Sequence, residues 1–124
     1  MSKPVNIEIS GIEQTNKFLK SKNKESMKII KKALNRGAIH LQGEVKMSIA
    51  GQRAEHRSVD TGRFLNSIDF QTSEDSAIVF TGIPYAKKLE FGTKHFTGRR
   101  HFNNSANRNK KKVVEIINNG LKKL

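Results

Sequence analysis

One stripe of residues constrains this chain more than any other feature. Met27, Ile30, Leu34, Ala38, Leu41, Val45 and Ile49 recur three or four residues apart, the spacing that puts side chains on a single face of an α-helix. The pattern predicts a helix from about 24 to 48, roughly 37 Å long at 1.5 Å per residue. In a chain of 124 residues, about one domain's worth, such a rod has to be the spine on which everything else is laid. Gly37 and Gly43 inside it each cost roughly 1 kcal/mol relative to alanine, which points to close packing or a slight bend. Ala33, Gly37 and Ala38 lie near one side, where a strand or a neighbouring subunit has room to approach. Lys28, Lys31, Lys32, Arg36 and Lys46 mark the opposite, wet face.

What packs on the spine is a small sheet. Val5, Ile7 and Ile9 alternate with Asn6, Glu8 and Ser10, the period-two signal of a half-buried strand, and Gly11 ends it. Ile12, Thr15, Phe18 and Leu19 suit a short helix from 12 to about 20. Further on, Ile68, Phe70 and Thr72 alternate with Asp69 and Gln71, Glu74, Asp75 and Ser76 supply a turn, and Ile78 and Phe80 alternate with Val79 and Thr81. Together they predict a β-hairpin over 68–82 with one apolar face. Between spine and hairpin, GQRAEHRS (51–58) has no periodicity and reads as a mobile loop. After Pro84, the segment 85–91 fits a short helix with Tyr85, Leu89 and Phe91 facing inward and Gly92 as its C-terminal cap. A second mobile loop covers about 94–104. From Ser105 on, Ala106, Val113, Ile117, Leu121 and Leu124 trace a final helix that frays or stops at Asn118, Asn119 and Gly120. The expected fold is therefore α+β in one domain: a small antiparallel sheet with a central hairpin, packed against a long helix in the N-terminal half and a C-terminal helix.

The residues on either side of the hairpin carry a resemblance. VDTGRFLNSI (59–68) before it and GIPYAKKLEFGT (82–93) after it resemble the neck proteins of tailed bacteriophages, small structural proteins that join head to tail or complete the tail. The likeness covers 59–93 closely and the flanking helices in pattern. It departs at Phe102, which keeps the family's aromatic residue but lacks the proline usual beside it. The resemblance implies a virion protein assembled in the bacterial cytoplasm, a homo-oligomeric ring at the neck, and partners among the connector and tail proteins. It implies association without bond making or breaking. Its motifs mark Asp60, Thr61, Gly62, Arg63, Tyr85, Glu90, Phe91 and Gly92 as interface candidates. The plainer alternative is that Gly62 and Gly92 meet backbone demands and Phe91 belongs to the core.

Nothing in the sequence assembles catalytic chemistry. There is no cysteine, hence no thiolate nucleophile or thiolate metal site, and no phosphate loop, dinucleotide fingerprint or zinc-binding helix. His40, His56, His95 and His101 read as surface or loop histidines; His95 and His101 alone are close in sequence, and a metal site would want a carboxylate beside them. Asp60 reads as a cap on the turn before the hairpin, Glu90 as a partner for a lysine in this chain or a neighbour. No enzyme activity, cofactor, metal or small-molecule substrate is expected. The N-terminus lacks the apolar core of a signal peptide, and no run is long enough for a membrane span.

Charge is the remaining signal. The 24 lysines and arginines against 11 acidic residues leave +13, which raises affinity for nucleic acid, acidic protein surfaces and anionic lipid alike. From 92 to 114 there is no acidic residue, while Lys94, Arg99, Arg100, Arg108, Lys110, Lys111 and Lys112 form a basic patch. Three readings compete for it: phosphate contact with Phe96 and Phe102 stacking on bases, a solvated loop anchored by those rings, and pairing with acidic neighbours in an assembly. A small basic nucleic-acid-binding protein, with nonspecific DNA contact, is the alternative function.

Overall fold

The spine forms as expected. In the computed structural model, which describes residues 3–13, 15, 24–59 and 62–122, helix α1 runs Lys24–Ile49. Its buried face is Ile30, Ala33, Leu34, Gly37, Ala38, Leu41, Val45, Ser48 and Ile49. Met27 alone of the predicted stripe is only half-buried. A turn-and-a-bit of helix, α2 (Arg63–Asn66), then leads into β2 (Asp69–Thr72) and β3 (Ala77–Thr81). With β1 (Val5–Ile9) these make an antiparallel sheet in the order β1-β3-β2. The register pairs Ile7 with Val79 and Val79 with Phe70, so these three share the face that packs on α1.

That register corrects the phase of one strand. Ala77, Val79 and Thr81 point to the core, and Ile78 and Phe80 to the other face, the reverse of the predicted alternation. The cause lies in position: β3 is the central strand and is apolar on both faces, so AIVF carries no period from which to choose. Phe80 is covered from the outer side, with the Lys3 ammonium 5.0 Å above its ring.

Helix α3 spans Ala86–Phe91. It buries Ala86 and Glu90 and leaves Tyr85 and Phe91 exposed, again the reverse of the expected inward set apart from half-buried Leu89. A two-residue ribbon follows, β4 (Gly92–Thr93) against β5 (Phe96–Thr97). Gly92 (φ 82°, ψ 177°) is not the left-handed cap expected of it. It takes a conformation that essentially only glycine tolerates, and a Cβ there would sit 2.8 Å from the Phe96 carbonyl oxygen. Helix α4 (His101–Leu121) begins inside the second predicted loop and ends at Leu121, one residue past the expected stop at 118–120. Gly120 is buried in close approach to α1: a Cβ on it would lie 2.8 Å from that of Ala33. Likewise a Cβ on Gly37 would meet Ile117 at 2.9 Å. The small side of the spine thus receives α4, not a strand or a neighbouring subunit. The helix predicted over 12–20 falls mostly outside the described residues, though Thr15 is buried. No helix among the described residues is long and apolar enough to cross a membrane.

Candidate functional site

The fold brings together the two halves of the motif that flank the hairpin. Gly62 sits left-handed (φ 83°) at the start of α2, which exposes Arg63 and turns Phe64 into the core. Phe64 meets Tyr85 edge to face, ring centroids 6.3 Å apart. Around that contact Ser58, Gly62, Arg63, Tyr85, Leu89 and Arg99 line an open depression of about 330 Å³. Asp60 and Thr61 lie outside the described residues.

Glu90 is not available to a lysine or to a neighbouring subunit. It is 2% exposed, and its carboxylate accepts from the backbone N–H of Phe102 and of Asn103, both at 2.9 Å. These are unpaired donors at the first turn of α4, where a negative charge also meets the positive end of the helix dipole. The residue at the N-cap position itself, Arg100, is left-handed (φ 58°) and supplies no side-chain cap. The N–H groups of Arg99 and Arg100 bond back to the carbonyls of Leu89 and Glu90. Glu90 is therefore a cap delivered from a different element.

The basic patch divides. Arg108 turns inward and grips Glu55 with both Nη atoms, at 2.6 and 2.7 Å. Arg99 donates to the Arg57 carbonyl and to Ser58 Oγ. Lys94, Arg100, Lys110, Lys111 and Lys112 stay exposed, with Arg100 stacked 5.5 Å over the Phe91 ring. Of the two phenylalanines, Phe102 is core and Phe96 is exposed.

Behind the depression runs a buried polar chain that local sequence reading misses. Ser48 Oγ donates to Glu55 Oε1 at 2.6 Å and lies 2.7 Å from His101 Nδ1. A hydroxyl has one proton, so Nδ1 must be the donor of the second bond. That leaves Nε2 to accept from Ser58 Oγ at 2.8 Å, while Ser58 receives the Arg99 guanidinium. Asn104 completes the Glu55 shell at 3.1 Å. The donors thus run in one direction, from Arg99 through Ser58, His101 and Ser48 to Glu55. The Arg108 guanidinium holds the Glu55 carboxyl well below its usual range, at about 2, and burial pushes the His101 imidazole down to about 4. His101, read from sequence as a loop histidine, is fully buried.

Ser58 and His101 have the spacing of a nucleophile and its base. In the fold their hydrogen bonds fasten segment 51–58 to α1 and α4. The one sequence signal of it is Ser48, a hydroxyl on the core face of the spine. No cluster of three or more metal-ligating side chains gathers among the described residues; His95 is exposed while His101 is buried. Comparison with models of protein families, with curated proteins and with solved structures finds no match.

Proposed function

We propose that the chain is a structural virion protein of a tailed phage or prophage, forming or joining a ring at the neck between head and tail. The observation that carries the reading is the convergence of the two motif halves. Segments separated by the whole hairpin supply Gly62, Arg63, Tyr85 and Leu89 to one depression, and Phe91 is exposed on the ribbon side of α3. Spending exposed aromatic and arginine side chains on one surface suits a protein whose work is association. The basic alternative, contact with nucleic acid, is weakened because Arg99 and Arg108 are engaged within the fold.

Light scattering on the purified protein tests the ring: a discrete oligomer supports it, and a monomer at every concentration counts against it. In an assay that joins purified heads to tails, Arg63→Glu is expected to abolish joining while circular dichroism shows a folded protein. Loss of the folded signal would make Arg63 a structural residue instead.

A further inference from the structure

We propose that α3 and the β4–β5 ribbon form a rigid knuckle that docks on an acidic protein surface with an apolar centre, one belonging to a different protein and not to a second copy of this chain. The proposal rests on the reading of the chain as an assembly component and names the chemistry of its partner. Three rings are exposed there, Phe91 at 52%, Phe96 at 40% and Tyr85 at 40%. Lys87 and Lys88 lie three or four residues before Phe91 on the exposed side of α3, and Lys94 and Arg100 flank the ribbon. The one carboxylate of this stretch, Glu90, is buried under the first turn of α4. Aromatic anchors ringed by cations are what an interface centre with an oppositely charged partner requires.

The knuckle is also preorganised. The backbones of Gly92 and Gly98 approach so closely that neither has space for a side chain. The N–H groups of Arg99 and Arg100 pin the strand end to α3, so little ordering is left to be done on binding. A second copy is a poor occupant. Its exposed carboxylates, Glu8, Glu13, Glu25, Asp69, Glu74, Asp75 and Glu115, are interspersed with cations: Lys3 over Phe80 beside Asp69's row of the sheet, Lys28 and Lys31 in a groove with Glu74, and Lys112 3.9 Å from Glu115. Two copies at +13 repel in any case. Nucleic acid fits less well than protein: Arg100 already covers one face of Phe91, which leaves that ring less open to stacking by a base.

The test uses fluorescence anisotropy at physiological salt with three probes: a synthetic peptide of alternating glutamate and tyrosine, a glutamate-only peptide of equal length, and a thymidine oligonucleotide of similar charge. The mixed peptide is expected to bind the intact protein about tenfold more tightly than the glutamate-only peptide. Phe91→Ala with Phe96→Ala, and separately Lys87→Glu with Lys88→Glu, should each weaken it by about tenfold. Lys32→Glu with Arg36→Glu, the same charge change on α1, should leave it unaltered, with circular dichroism reporting the fold of every variant. Equal loss in both charge-reversed pairs, a tighter oligonucleotide, or no binding of the mixed peptide overturns the proposal. If the knuckle binds as expected yet the intact protein does not join purified heads to tails, the docking surface stands and the neck reading falls.

Discussion

Glu55 keeps its charge in the interior because three groups from two helices reach it: Ser48 from α1, and Asn104 and Arg108 from α4. Glu55→Ala would leave Arg108 and Ser48 without their acceptor. Because Arg108 retains solvent access, which softens the penalty, the expected loss is about 2 kcal/mol in urea denaturation. The same two groups fix how stability responds to acid. The unfolded chain protonates a histidine near 6.5, the folded one His101 only near 4. Stability is therefore complete above 6.5 and declines as pH falls toward 4. For Glu55 the folded value is about 2 against 4.5, so its contribution is present above 4.5 and is lost toward 2. Urea midpoints should accordingly fall in two successive legs. His101→Gln should flatten the upper leg alone, and a midpoint in this variant that still drops across that interval would assign the leg to another group. None of this is legible in GQRAEHRS, since Ser48 lies on the helix before it and Asn104 and Arg108 come from a distant stretch. A charged residue that will be buried looks the same in sequence as one that will be wet.

Two helical glycines in the same fold should respond to the same substitution with opposite sign. Around Gly43 there is nothing within 4 Å of the position a Cβ would take, so Gly43→Ala gains helix propensity and is expected to stabilise by about 1 kcal/mol. At Gly120 the new methyl would press on the backbone and Cβ of Ala33, atoms that cannot rotate away, and Gly120→Ala should cost about 1–3 kcal/mol. Thermal denaturation of the pair checks both; equal signs would mean that the α1–α4 seam is looser than its geometry. The elements were legible where periodicity has one meaning. The spine and β1 could be placed from their stripes alone. The central strand could not be phased, because it is apolar on both faces. The start of α4 was hidden for a different reason. Helices advertise their first turn by a nearby capping side chain, and here the cap, Glu90, arrives from another helix while the residue at the cap position is a left-handed arginine.

At the scale of the whole molecule, excess charge acts on two kinds of association in opposite directions. Copies at +13 repel one another, so self-association should strengthen as salt rises and the repulsion is screened. Binding of an acidic partner to the knuckle should weaken over the same range. Light scattering for the first and anisotropy for the second, across one salt series, should give slopes of opposite sign; parallel slopes would show that self-association also runs through unlike charges. The architecture was legible as a helix-backed antiparallel sheet, whereas the candidate surface was legible only as a set of motif residues. Two of them, Glu90 and Gly92, turn out to hold the surface in place without presenting anything themselves. Glu90 has a mechanical consequence. It rivets the knuckle to one tip of α4, and Gly120 seats the opposite end of that helix on the spine, roughly 28 Å away at 1.5 Å per residue. The helix is a lever with its fulcrum at the seam, so an added methyl at residue 120 would re-aim a surface it never touches.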